Sequence, residues 1–212
     1  LMADRYFIEP PIVGDRAVLS GPEAHHLTGV MRAKVGDEVV LFDGSGSEFV
    51  ARIDGVGRRE VGLAVLSTVD VDRELPRNVT LCAALPRGDR QRWLVEKAVE
   101  LGVRRFVPLV TRRGVVEPDE NVCERLRRTV VEASKQCGRN RLMDIAAPNK
   151  LPPSAELFPA GAVRLLAHPG GGVTLAQLGD ELRAAPLRPI AFCVGPEGGF
   201  TDDEAAAALA VG

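Results

Sequence analysis

Histidine and cysteine are scarce here: the sequence has three histidines and four cysteines among 212 residues. Cys82, Cys123, Cys137 and Cys193 stand far apart with no C-x-x-C pair, and two of the histidines, His25 and His26, are adjacent. Such spacing excludes the common zinc patterns and a disulfide framework, so no metal is expected. Aromatic residues make up only 4%, which leaves aliphatic side chains to build the core. No apolar run approaches the roughly 20 residues needed to cross a bilayer. The opening LMADRYF lacks the apolar stretch of a secretory signal. The reading therefore expects a cytoplasmic protein with no membrane partner.

What is present is a composition of 45% hydrophobic and 26% charged residues, that of a globular protein. A length of 212 residues suits two unequal domains better than one. The net charge of −2 hides an asymmetry. Between Arg87 and Arg141 there are 14 Lys/Arg against 8 Asp/Glu, while the rest carries 13 against 21. A locally basic segment is either a phosphate-binding face, since cations that displace counterions supply sequence-independent affinity for nucleic acid, or a solvated helix surface.

Residues 1–72 read as a small β-rich domain. Short strands are predicted at Ala17–Leu19, Glu38–Phe42, Glu48–Ile53 and Val61–Val69, with Asp43-Gly44-Ser45-Gly46 as a hairpin turn. In PEAHHLTGVMR, Ala24, Leu27, Val30 and Met31 recur at helical spacing and predict one helix. A charged connector at 70–78 marks the boundary. Residues 73–212 then alternate strands and helices: VTLCAAL, a helix near Arg90–Leu101, FVPLV, a helix near Val122–Gln136, VRLLA, a helix near Leu175–Ala184, and IAFCV. That alternation predicts an α/β domain with a parallel sheet, whose ligands bind beyond the carboxyl ends of the strands. Trp93 and Phe106-Val107-Pro108-Leu109 read as core.

The sharpest local feature follows IAFCV: Gly195-Pro196-Glu197-Gly198-Gly199-Phe200, after which Thr201 and Glu204 have the T-x-x-E spacing of a capping box opening a helix. Glycines there let a ligand approach the backbone. Neither standard phosphate fingerprint is present, and the Glu197 carboxylate would repel a phosphate. The segment is either a ligand turn or an ordinary strand-to-helix connection. His168-Pro169 ends the VRLLA strand, where such a sheet also places ligands.

A second feature is Lys135-Gln136-Cys137-Gly138-Arg139-Asn140-Arg141. Gly138 can end the preceding helix, and the two arginines then project as forks suited to phosphate and base edges. The alternative is a basic helix C-terminus favoured by the helix dipole. Cys137 has no histidine nearby in sequence and is not read as a nucleophile. Of His25 and His26, one ring is expected to pack and the other to face solvent, with Arg32 beyond them.

Taken in order, Arg5-Tyr6-Phe7, HHLTGVMRAKVGDEVVLFDGSG at 25–46, EKAVELGV at 96–103, QCGRNR at 136–141, HP at 168–169 and VGPEGGFTDDE at 194–204 resemble the ribosomal RNA small-subunit methyltransferase E family. That family is a branch of the knotted SPOUT methyltransferases. The resemblance implies a PUA-like RNA-binding β-barrel followed by a SPOUT domain with a trefoil knot, in a homodimer. It also implies transfer of methyl from S-adenosylmethionine to uridine N3 in 16S ribosomal RNA of the small ribosomal subunit, leaving S-adenosylhomocysteine.

By position, Gly195, Pro196, Glu197, Gly198 and Gly199 match the family's cofactor loop, and His168 and Pro169 its neighbouring strand end. Arg5, His25, Arg32, Arg139, Asn140 and Arg141 match positions expected to face RNA or the reacting base. Arg5 is the candidate for stabilising the uridine anion, since an arginine is no base at neutral pH. Family members continue beyond a segment like AAALAVG with a further strand and an L-G-x-x-I-L-R-x-E-T-A motif that completes knot and adenine pocket. The sequence stops at Gly212, so the resemblance expects a C-terminally incomplete SPOUT domain with weak cofactor binding. A non-catalytic RNA-binding or ribosome-assembly protein is the competing reading.

Overall fold

The computed structural model describes residues 4–9, 11–153, 155–170, 172–184 and 187–210; the expected continuation after Gly212 lies outside them. The chain divides into two compact units, one of residues 1–74 and 131–142, the other of 75–130 and 143–212.

In the first unit, strands β1 (Arg5–Phe7), β2 (Arg16–Ser20), β3 (Glu38–Phe42), β4 (Ser47–Val56) and β5 (Glu60–Asp70) form one curled sheet in the order β1-β3-β4-β5-β2. β1 runs parallel to β3 and the other neighbours are antiparallel. Alternate side chains point to one face, so Ala17 and Leu19, then Phe49, Ala51 and Ile53, then Val61 and Leu63 fall on a single core. Register shifts at Val50/Ala51 and Ile53/Gly55 bend β4. β1 went unpredicted because three residues are too few to show a period.

The expected single helix is two pieces. Helix α1 (Gly21–His25) passes into a π-turn at His26–Val30, closed by Met31 N–H donating to the His26 carbonyl at 3.0 Å. The wider turn changes the phase of the side chains. Ala24 and Leu27 are buried as expected, but Val30 and Met31 are exposed at 60% and 43%. His25 faces solvent, while the His26 ring, though partly open to solvent, packs against the Tyr6 ring with centroids 5.9 Å apart, so one ring of the pair packs as expected.

The second unit is α/β. Strands β6 (Val79–Ala84), β7 (Arg105–Val110), β8 (Asp144–Ile145), β10 (Val163–Ala167) and β11 (Ile190–Val194) make a parallel sheet in the order β10-β11-β6-β7-β8, with β9 (Asn149–Lys150) also on β7. Its helices are α2 (Arg90–Glu100), α4 (Leu175–Ala184) and α5 (Asp202–Ala210), while α3 (Glu120–Cys137) belongs to this unit as far as Val130. Phe106, Val107 and Leu109 are buried as the apolar run predicts. Trp93, expected in the core, is 62% exposed. α2 buries Val95, Ala98 and Val99, and at 100° per residue Trp93 lies on the opposite side.

Candidate functional site

In the second unit, β10 and β11 pair in register through Ala167 and Val194. His168-Pro169 and the turn Gly195–Gly199 therefore leave the same carboxyl edge of the sheet side by side. A Cβ on Gly195 would lie 3.3 Å from the Gly199 carbonyl carbon and the Phe200 nitrogen, because the turn folds back on itself and Gly199 N–H donates to the Pro196 carbonyl at 2.8 Å. Gly199 has φ +68° and a Cβ there would meet nothing within 4 Å. The turn thus needs glycine for its own backbone and has open space beside it. Glu197, His168 and Pro169 are exposed. His168 Nδ1 accepts from Gly170 N–H at 3.2 Å.

The helix that follows is capped as the T-x-x-E spacing predicts. Glu204 N–H donates to Thr201 Oγ1 at 3.3 Å, and Thr201 N–H donates to Glu204 Oε2 at 2.9 Å. The other oxygen of Glu204 accepts from Arg112 N–H at 2.8 Å. Burial alone would raise the Glu204 carboxyl, but the N–H groups of Thr201 and Arg112 outweigh it and hold it below its ordinary range. The neighbouring Arg113 donates from Nη1 to the Gly198 carbonyl at 2.8 Å and to the Phe200 carbonyl at 3.3 Å. Two consecutive residues beyond β7 therefore fasten the glycine turn and the start of α5. Sequence reasoning missed both, since nothing local ties Arg112 and Arg113 to a segment some 85 positions on.

The first unit gathers Arg5, Arg139, Asn140 and Arg141 with partners the sequence did not single out. Arg5 Nη1 donates to Glu48 Oε2 at 2.8 Å, its Nη2 donates to Asn140 Oδ1 at 2.6 Å, and its guanidinium lies 5.0 Å from the centre of the Phe42 ring. Arg73 joins from the other side, donating from Nη1 to Glu48 Oε2 at 2.8 Å and to the Gly138 carbonyl at 3.0 Å. Hydrogen bonding from Arg73, then from Arg5, holds the Glu48 carboxyl down from 4.5 to about 2 against the opposing effect of burial.

Arg139 does not project: it is 4% exposed and forks onto Glu74 through Nε at 2.8 Å and Nη2 at 2.6 Å. Asn140 is likewise buried. Burying a guanidinium is costly unless an opposite charge compensates it, and the Glu74 carboxylate does so here. Arg141 is exposed and its backbone bridges Gly44 and Ser45. Gly46 sits at φ +113°, a conformation that favours glycine, and a Cβ there would also lie 2.8 Å from the Arg141 guanidinium, which would have to shift.

Arg32 is exposed, with φ +56°, and is the one non-glycine with positive φ among the described residues. It ends the π-turn in the left-handed conformation common at such termini. Tyr6 is fully buried, and burial with the nearby Asp4 and Glu23 pushes its hydroxyl up to about 12, so it is no base at neutral pH. Among the described residues no group of three His, Cys, Asp or Glu side chains is arranged to hold a metal.

Family models match both units: an RNA methyltransferase domain over residues 73–212 and an RNA methyltransferase PUA domain over residues 19–65. The class they define is the PUA-bearing RNA methyltransferases. A Synechocystis protein named ribosomal RNA small subunit methyltransferase E is 34% identical over 100% of this chain and 70% of its own length. Its Bacillus subtilis namesake is 29% identical over 88% of this chain and 75% of its own length. The chain belongs to the ribosomal RNA small subunit methyltransferase E family.

Among solved structures, a Legionella pneumophila methyltransferase in complex with the cofactor SAM superposes with a TM-score of 0.86 at 28% identity, covering 100% of this chain and 87% of that one. The Neisseria gonorrhoeae ribosomal RNA small subunit methyltransferase E, bound to S-adenosyl methionine, gives 0.83 at 27%, covering 99% and 86%.

Proposed function

We propose that this protein methylates N3 of a uridine in 16S ribosomal RNA of the small ribosomal subunit, using S-adenosylmethionine. The observation that carries the reading is the glycine turn at the carboxyl edge of a parallel sheet, where ligands of such sheets bind, in a chain whose relatives are named for this class of reaction. The residues present fit the cofactor. Space stands open beside Gly199, Gly198 adds no side chain, and the exposed Glu197 carboxylate suits a sulfonium cation where it would repel a phosphate. When bound, the cofactor supplies an electrophilic methyl group.

Gly195, Pro196, Glu197, Gly198 and Gly199 would hold it, with His168 and Pro169 as the neighbouring wall. The chain's own task is to place the base, let the N3 proton leave and stabilise the resulting anion; orientation and fixed charge are the means open to it. Arg5 has its terminal nitrogens engaged by Glu48 and Asn140. That arrangement supports a positioning role, holding Asn140 and with it the loop to Arg141, beside the anion-stabilising role the resemblance implies. Single-turnover methylation by Arg5→Ala tests both: wild-type rates would remove Arg5 from the reaction.

The same proposal takes residues 1–72 as the RNA-binding domain and 73–212 as part of a SPOUT methyltransferase domain whose trefoil knot a following segment would complete, in a cytoplasmic homodimer with His25, Arg32 and Arg141 toward RNA. Incubating the full-length protein and labelled cofactor with small subunits lacking the modification, then mapping methylated nucleosides by mass, tests the whole. Label at a single uridine N3 is expected. Label at another atom or base overturns the specificity, and no label overturns the activity.

A further inference from the structure

Ion pairing in the first unit separates neutralised cations from free ones. Arg5, Arg16, Arg52, Arg73, Lys135 and Arg139 each lie within 4 Å of a carboxylate. Among the described residues Arg32, Lys34 and Arg141 have no such partner, and neither do Arg58 and Arg59, which differ from those three in being adjacent. This pair forms the exposed tip of the β4–β5 hairpin, in a turn closed by Gly57 N–H donating to the Glu60 carbonyl at 2.8 Å. Two adjacent unneutralised arginines on a protein of net charge −2 call for an anion from outside.

The tip does not stand alone. It lines a cleft of about 410 Å³ together with Ser20, His25 and Thr28. Thr28 already donates to the Ala24 carbonyl at 2.8 Å, so its hydroxyl hydrogen is committed, while the His25 ring is exposed. Glu60 is the single carboxylate of the lining. Two arginines and a histidine lining one cleft supply donors that match phosphate oxygens, and the surplus charge matches a polyanion better than a neutral ligand.

We propose that the β4–β5 tip and helix α1 clamp the phosphodiester backbone of the RNA substrate, Arg58 and Arg59 from the tip and His25 from the helix. The clamp rests on the reading that this chain binds RNA. It places the phosphate grip away from Arg139 and Asn140, which are committed to Glu74, Arg5 and burial.

The test is fluorescence anisotropy of a labelled single-stranded 20-nucleotide RNA with the full chain, from 50 to 200 mM KCl. Each lost phosphate contact lowers the slope of log affinity against log salt by about 0.7 on a single strand, so Arg58→Ala/Arg59→Ala should lower it by roughly 1.4 and weaken binding at every salt concentration. Glu60→Gln removes the one opposing charge and should tighten binding, an outcome that damage to the fold would not produce. Arg16→Ala, whose guanidinium is exposed but already paired with Asp54, should leave the slope unchanged.

An unaltered slope in the double variant, beside a wild type that binds, overturns the clamp and leaves the RNA reading standing. An equal loss in Arg16→Ala shows a general charge effect and also overturns it. A wild type with no salt-dependent affinity overturns the RNA reading itself.

Discussion

Replacing Glu48 by Gln should cost the first unit about 2 to 3 kcal/mol at neutral pH and almost nothing in acid. The magnitude follows from the cluster. Glu48 and Arg5 are only 15% and 11% exposed, and the carboxyl is held down from 4.5 to about 2. At 1.36 kcal/mol per pH unit that shift corresponds to about 3 kcal/mol. Arg73 is 38% exposed, so solvent screens its share and lowers the figure toward about 2 kcal/mol.

The sign is that of an acid strengthened by folding. Its stabilisation is complete above the unfolded value, shrinks as pH falls below 4.5, and is gone once pH passes about 2. Near pH 3 about 1 kcal/mol should remain. Urea unfolding of wild type and Glu48→Gln at pH 6 and pH 3 measures this, with amide exchange of β3 and β4 reporting on the unit concerned. Other carboxylates titrate in both proteins, so the difference between them isolates Glu48. If that difference is the same at both pH values, or absent at pH 6, Glu48 is not the ionised hub that holds Arg5, Arg73 and Asn140.

Arg113→Ala removes the hydrogen bonds to the Gly198 and Phe200 carbonyls and should weaken S-adenosylmethionine binding about tenfold, read by calorimetry, on a loss of about 1.4 kcal/mol. Arg112→Ala should leave that affinity near wild type, because Arg112 serves Glu204 through its backbone N–H and its own ion pair with Asp203 is exposed. Gly46→Ala combines a φ of +113° with a Cβ 2.8 Å from the Arg141 guanidinium; thermal unfolding should show a loss of about 1 to 2 kcal/mol for the backbone alone. Trp93→Ala, at 62% exposure, should change stability by less than about 0.5 kcal/mol.

Elements with a long, consistent period were legible. β3, β10, α4 and β11 occupy the predicted residues, and the T-x-x-E spacing at 201–204 is a real capping box. What failed lacked either length or a constant phase. β1 has three residues and owes its place to pairing with β3, a contact some 35 positions distant. The 24–31 stretch keeps helical spacing on paper, but a π-turn at His26 shifts the phase halfway along and turns Val30 and Met31 outward. Residue type alone predicts Trp93 in the core, while its angular position on α2, opposite Val95, Ala98 and Val99, points it outward.

Charge was the least legible property of the candidate site, because a count along the chain records where cations occur and not which are neutralised. The basic stretch from Arg87 to Arg141 drew attention by its surplus, yet Arg105, Arg112, Lys135 and Arg139 all find carboxylates outside it, on Asp144, Asp203, Glu23 and Glu74. Folding thereby removes much of the excess from view. Arg58 and Arg59 sit in a segment whose composition draws no notice, and keep their charge because the hairpin tip brings no acid to them except Glu60. Counterion release rewards only charge that is still uncompensated when the nucleic acid arrives. An RNA-facing surface in a protein of near-zero net charge is therefore to be sought among cations without partners, and that criterion favours the hairpin tip and the exposed Arg141 over the buried Arg139.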